Sequence, residues 1–187
     1  MLDLWTKYTF DNINNYYIDI SRFIWYNCLG LGCKRILDVG CNIGMELVSF
    51  PTYVDLTGVD SNLLALKMAK ERFPYFKFEH GDVTNLEYVD NSYDLVFDRG
   101  LLIHLPINMV DKAMGEMLRV SKKYVLNIEY LGDDCKIIDW RGGEPLFYRD
   151  MLKRWKSYNV EIVSDFEIPY DIDSNRIHYT LVRKNES

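Results

Sequence analysis

Little in this sequence is suited to hold a metal. Its four cysteines (Cys28, Cys33, Cys41 and Cys135) form no Cys-x-x-Cys pair, and its three histidines (His80, His104 and His178) are scattered. A zinc site is therefore not expected, and reduced thiols in a cytoplasmic protein are the default reading. Basic charge is also in short supply. Lys and Arg number 22 against 28 Asp and Glu, a formal net charge of −6. That argues against a nucleic-acid partner held by non-specific phosphate contacts, which need a basic surface. No apolar run approaches the length of a membrane span. No basic stretch followed by an apolar core opens the chain, so no signal peptide and no membrane partner are expected. Repeats, low-complexity tracts and linkers are missing too. What is present is 187 residues, 48% hydrophobic and 27% charged, enough for one folded domain with a sizeable core and too apolar for wholesale disorder.

The stretch Ile36-Leu37-Asp38-Val39-Gly40-Cys41-Asn42-Ile43-Gly44 organises the rest. A short apolar run breaks into glycine-bearing sequence, and helix-compatible residues follow at once. A strand turning sharply into a helix brings backbone N–H groups to where a ligand can touch them, although such turns also serve packing alone. Two further features favour a ligand. The next apolar run ends at Gly58-Val59-Asp60, and Asp60 lies 20 residues after Gly40, a spacing at which an acid meets ribose hydroxyls in nucleotide-binding α/β folds. The third run ends at His80-Gly81-Asp82-Val83 with another acid. The loop lacks the third glycine of a dinucleotide fingerprint at the right offset.

Apolar periodicity predicts a helix over 13–29, preceded by an aromatic stretch from Leu4 to Phe10 that reads as a lid over the ligand site. Aromatic faces suit a sulfonium cation. Strands are expected over 35–39, 54–60, 75–79, 93–97, 124–128, 160–166 and 177–183. Helices are expected in a short piece after the glycine loop, over 62–73 with Ser61 as N-cap, from Pro106 to Arg119, and over 149–157. From Leu131 to Phe147 no periodicity is evident. A loop that long in a compact domain is usually functional or disordered, though this one can equally cover the sheet edge with Trp140 packed inward. Alternation of strands and helices implies a doubly wound, mainly parallel seven-stranded sheet with helices on both faces and an antiparallel last strand.

Leu-Asp-Val-Gly-Cys-Asn-Ile-Gly resembles the first motif of the class I S-adenosylmethionine (SAM)-dependent methyltransferases, and the likeness extends from about Ile36 to Arg183. It implies one Rossmann-like domain over 1–187, with 1–35 a helical lid segment and 36–187 the SAM-binding core. It implies SAM as cofactor and S-adenosylhomocysteine as product. The cofactor contacts would come from Asp38, Gly40, Cys41, Asn42, Gly44, Asp60, Ser61, Asp82, Val83 and Asp98, with Asp60 on the ribose and Asp82 near the adenine amino group. One departure is Asn42, which replaces the middle glycine; Asn tolerates positive φ better than other side chains. Cys41 reads as a small filler rather than a nucleophile. Further stretches, Arg-Gly-Leu-Leu-Ile-His-Leu, Tyr-Val-Leu-Asn-Ile-Glu-Tyr, Trp-Arg-Gly and Phe-Tyr-Arg-Asp, resemble the methyltransferases associated with pseudaminic acid biosynthesis. They imply a small polar acceptor such as a nine-carbon sugar acid or its nucleotide-linked form.

The acceptor site is expected among Arg99, His104, Tyr130, Arg141 and Arg149. The two later arginines are suited to fork onto a carboxylate or phosphate. A hydroxyl acceptor needs a proton acceptor, for which His104 is the first candidate and Glu129 the second, with Arg99 as a further polar member of the centre. Arg99 as a surface ion-pair residue and His104 as a helix-capping histidine remain open. So do SAM chemistry other than methyl transfer and SAM binding without chemistry. A monomer or homodimer fits the composition equally.

Overall fold

The computed structural model describes residues 4–14, 17–132, 136–140, 144–173 and 177–185. Two helices, α1 (Leu4–Asp11) and α2 (Ile18–Gly30), precede β1 (Arg35–Val39), β2 (Asp55–Asp60), α3 (Leu63–Arg72), β3 (Lys77–His80) and β4 (Tyr93–Arg99). After them come α4 (Ile107–Val120), β5 (Ser121–Tyr130), β6 (Lys136–Trp140), β7 (Glu144–Tyr148), α5 (Met151–Trp155), β8 (Val160–Glu167) and β9 (Ile177–Lys184). Seven strands form one sheet in the order β3-β2-β1-β4-β5-β9-β8. Its first five are parallel, and β9 runs antiparallel to both β5 and β8. This is the sheet that the alternation of elements predicts.

Both faces of the sheet are covered, so its central strands are near-continuous apolar runs. Side chains alternate between two layers. Ile36, Leu95, Leu126 and Leu181 face Ile20, Ile24 and Cys28 of α2 and Leu66 and Ala69 of α3. Their neighbours Leu37, Val96, Val125 and Val182 face Val110, Met114 and Met117 of α4 and Met151 and Trp155 of α5. Each such side chain contributes about 1.5–3 kcal/mol when fully buried. The strand order reverses between β1 and β4. In open α/β sheets the crevice at that switch point, outside the carboxyl ends of the strands, is where ligands bind.

Four local expectations are corrected. The helix expected over 13–29 starts only at Ile18, and the aromatic stretch before it is itself helical, α1. Asn12 ends α1 by turning its side-chain amide back onto the Tyr8 carbonyl at 2.8 Å, which competes with helix continuation. The helix after the glycine loop is a single 3-10 turn, Met45–Leu47. The N-cap of α3 is Asn62, not Ser61: its Oδ1 accepts from Leu64 N at 3.0 Å and Ala65 N at 3.2 Å. The stretch 131–147 is not all loop. It contains β6 and β7, a separate antiparallel pair. Pro145 argues against a central strand, but it is tolerated here, opposite Asp139 in a two-stranded ribbon. Among the described residues no helix is long and apolar enough to cross a membrane.

Candidate active site

The chain leaves β1 through Gly40, whose φ is +75°. A Cβ there would lie 2.8 Å from Leu101 Cδ1, so glycine is required by both conformation and space. Gly40 N and Cys41 N donate to the Val59 carbonyl at 2.8 and 3.1 Å, pinning the turn onto β2. Asn42 takes φ 46°, the left-handed conformation its residue type tolerates. Its own Oδ1 accepts from Ile43 N at 2.8 Å.

Asp60, at the end of β2, ties this turn to the next one. Oδ2 accepts from Asn42 N at 2.9 Å and Oδ1 from Asn62 N at 2.8 Å. Burial pushes its carboxyl above the usual range, against the pull of the Asn62, Asn42 and Ser61 N–H groups. A carboxylate offers about four acceptor positions, so Asp60 retains capacity toward the cleft it lines. At the end of β3, Asp82 Oδ1 accepts from Thr84 N and Thr84 Oγ1 at 2.8 and 2.9 Å.

These turns border a cleft of about 840 Å³, within the usual range for cofactor and ligand sites. Gly40, Asn42, Asp60, Ser61, Asp82, Val83, Arg99 and His104 line it. Asp38, Cys41, Gly44, Asp98, Glu129, Tyr130 and Arg149 do not contribute to its wall. Arg141 lies outside the described residues. Cys41 is 1% exposed beside Gly58, where a Cβ would come within 2.7 Å of its Sγ. Burial, reinforced by the Asp38 charge, keeps it a thiol.

The polar groups in and behind the wall form two networks. In the first, Arg99 Nη1 donates to Glu46 Oε1 at 3.1 Å and Nη2 to Asp173, with the guanidinium carbon 4.4 Å from the centre of the Tyr17 ring. Burial raises the Glu46 carboxyl, and Arg99 opposes that. In the second, Glu129 Oε1 accepts from Leu102 N, and the Ile103 N–H also reaches its carboxyl. Arg149, 4% exposed, donates to the carbonyls of Leu102 (2.7 Å), Phe147 (3.1 Å) and Leu105. Together they splint the 101–105 segment, whose Leu101, His104 and Leu105 form one wall of the cleft. Glu129 is also hydrogen-bonded to the Asp98 carboxyl. Asp98 Oδ2 and Glu129 Oε2 are buried and reached by no N–H or hydroxyl donor. Their mutual bond therefore requires a proton. Burial and the Glu129 charge push Asp98 up, so Asp98 holds it.

Trp5, Thr6 and Tyr8 of α1 also line the cleft, and sequence alone named α1 only as a lid. Thr9 holds α1 in place: its hydroxyl is 3.5 Å from both Asn42 Oδ1 and Asn62 Nδ2. The Trp5 ring meets the His104 ring edge-on at 4.7 Å. Burial lowers His104 to about 4, so it is neutral at neutral pH. Glu46, Asn62 and Met109 are further lining residues that the sequence did not single out. Glu46 was legible only as the acid two residues past the last loop glycine.

Residues 36–124 match the model of the methyltransferase domain family. The match takes in β1 to the start of β5, just under half of the chain. A demethylmenaquinone methyltransferase from Renibacterium salmoninarum is 37% identical over 91 residues, 48% of this chain and 37% of that relative. The chain spans little more than a third of the length of the curated relatives it first matches. Among solved structures, the Burkholderia thailandensis 1,6-didemethyltoxoflavin-N1-methyltransferase with bound 1,6-didemethyltoxoflavin and S-adenosylhomocysteine is 15% identical. It superposes with a TM-score of 0.72 over 98% of this chain and 82% of its own. The [4+2]-cyclase SpnF is 18% identical, with a TM-score of 0.65 over 82% of this chain and 75% of its own. The fold is that of the class I SAM-dependent methyltransferases; at these identities the structural likeness establishes the fold and not the reaction.

Proposed function

We propose that this methyltransferase domain binds SAM in the switch-point cleft and transfers its methyl group to an oxygen or nitrogen of a small-molecule acceptor. The observation that carries this reading is Asp60. One carboxylate fixes the glycine turn and the N-cap turn of α3, and still presents acceptor capacity to the cleft. The glycine cradle fits the cofactor as well, since a Cβ at Gly40 would fill the space beside Leu101. In this arrangement Asp60 takes the ribose hydroxyls, Asp82 faces the adenine edge, and Gly40, Asn42 and Glu46 surround the methionine end. SAM supplies an electrophilic methyl on a sulfonium.

The protein's part is placement. Holding the acceptor atom in line with the methyl converts a two-body encounter into a positioned one. An amine acceptor needs no further group. For a hydroxyl, the neutral His104 is the titratable side chain of the 101–105 wall placed to take the proton. Glu129 fits the role less well, because its carboxylate is 3% exposed and bonded to Leu102 N behind that wall. A sugar-acid acceptor draws support from the sequence resemblance, but Arg99 and Arg149 are both engaged by protein oxygens. Incubating the protein with labelled SAM and candidate acceptors tests the proposal. S-adenosylhomocysteine formed only with an acceptor supports it. Methylthioadenosine as product would assign the cleft to another SAM chemistry, and binding without turnover would make it a sensor.

A further inference from the structure

If the cleft is a methyltransferase site, its far end describes the acceptor. The nucleotide-facing acids Asp60 and Asp82 sit at the ends of β2 and β3. The opposite end, beyond β4, is walled by Trp5, Leu101, His104, Leu105 and Met109. Four of these five are apolar or aromatic. The titratable one is an imidazole kept neutral by burial.

Charge selects in the same direction. The cationic side chain of the described wall beside this end is Arg99, and it is held by Glu46 and Asp173. Arg149 lies behind the wall with its guanidinium spent on the Leu102, Phe147 and Leu105 carbonyls. The cleft otherwise presents the carboxylates of Glu46, Asp60 and Asp82. Among the described residues of this end, no cationic side chain is left over to replace the hydration that a carboxylate or phosphate would give up on entry. An uncharged flat ring with one polar group gives up far less hydration by the same move, and the Trp5 indole offers it an aromatic partner.

Proton chemistry narrows the class further. A histidine lowered to about 4 is a weak base. It accepts protons poorly from an aliphatic alcohol and far better from a group already acidic, such as a phenol, an enol or a ring N–H.

We infer that the acceptor is an uncharged planar ring compound with an acidic hydroxyl or ring N–H, bound between Trp5 and the Leu101–Leu105–Met109 wall. Its oxygen or nitrogen forms the new bond to the methyl carbon. The electron pair of the broken sulfur–carbon bond stays on sulfur, and the acceptor proton goes to His104 and then to water.

The test is titration calorimetry of the whole chain, with and without saturating S-adenosylhomocysteine. The probes are 1-naphthol, catechol and 8-hydroxyquinoline, against N-acetylneuraminate and phosphoethanolamine. The inference expects binding of at least one ring probe and none by the two anions. It further expects Trp5→Ala to weaken the ring probe about three- to tenfold, the usual worth of an aromatic pair, and Trp5→Phe to restore most of it. Binding of either anion, or of no ring probe at millimolar concentration, overturns it. S-adenosylhomocysteine affinity is read separately, so failure of the methyltransferase reading is distinguishable: the cofactor product would not bind at all. Trp5 is 38% exposed, so neither substitution threatens the fold.

Discussion

Replacing Glu129 separates scaffolding from catalysis. The carboxylate is 3% exposed, accepts Leu102 N through Oε1, and shares a proton with Asp98. Burial raises the Glu129 carboxyl, against the pull of Asp98, of the Leu102 and Ile103 N–H groups and of the Arg149 charge. Glu129→Ala strands two buried N–H groups, those of Leu102 and Ile103, at about 1–3 kcal/mol each. These contributions overlap, since they describe one network, and the expected loss is on the order of 4 kcal/mol. Glu129→Gln keeps an acceptor oxygen for Leu102 N and loses only the charge, so about 1–2 kcal/mol is expected. Urea denaturation measures both: the midpoint should fall in that order with an unchanged slope. Turnover, measured where both variants are folded, should survive Glu129→Gln. The scaffold argument is refuted if Glu129→Ala lies within about 0.5 kcal/mol of the parent. It is equally refuted if Glu129→Gln keeps its stability while losing about 10²–10⁴-fold in rate, the signature of a general base.

Three other outcomes follow from the same structure. His104 is lowered from 6.5 to about 4, so the unfolded chain binds its proton first as the pH falls. Its contribution is intact above about pH 6.5 and is lost down to pH 4, on the order of 3 kcal/mol; His104→Gln should flatten the stability curve in that window, and a curve unchanged there would contradict the burial. At Gly58 a Cβ would approach Cys41 Sγ to 2.7 Å and Phe78 Cδ1 to 2.8 Å, so Gly58→Ala should cost about 1–3 kcal/mol in thermal or urea melts, and a neutral result would show that the two side chains yield. Asp98 holds a proton in the fold that it loses when unfolded, so its contribution is present at acid pH and declines as the pH rises from the ordinary carboxylate range. Asp98→Asn should therefore be better tolerated at pH 8 than at pH 5, and the reverse order in denaturation would move the proton elsewhere.

The sequence made the sheet legible because its central strands are near-continuous apolar runs, and β1, β2 and β4 lead into a glycine or end on an acid. Asp60 could be placed at the carboxyl end of β2 from its apolar run and spacing, and it lines the cleft there. The left-handed turn at Asn42 followed from residue type. What stayed hidden depends on contacts distant in sequence. Arg99 is a polar residue after a strand until Glu46 and Asp173 close on it, 53 and 74 residues away. Arg149 reads as an anion fork until the Leu102 and Leu105 carbonyls are seen to consume it. Trp5 shows no periodic signal in a short helix, and its meeting with His104 is wholly tertiary. The β6–β7 pair was obscured by Pro145 and by adjacent isoleucines, Ile137 and Ile138, which break the period-two pattern.

Calorimetric titration of S-adenosylhomocysteine into the parent protein and Asp60→Ala tests the central claim most directly. The account predicts one site per chain in the parent. It predicts a loss of roughly 1–3 kcal/mol of binding free energy in the variant, the cost of removing an acceptor from buried polar partners, with cooperative melting retained. No binding by the parent, or unchanged affinity in a folded Asp60→Ala, would contradict it.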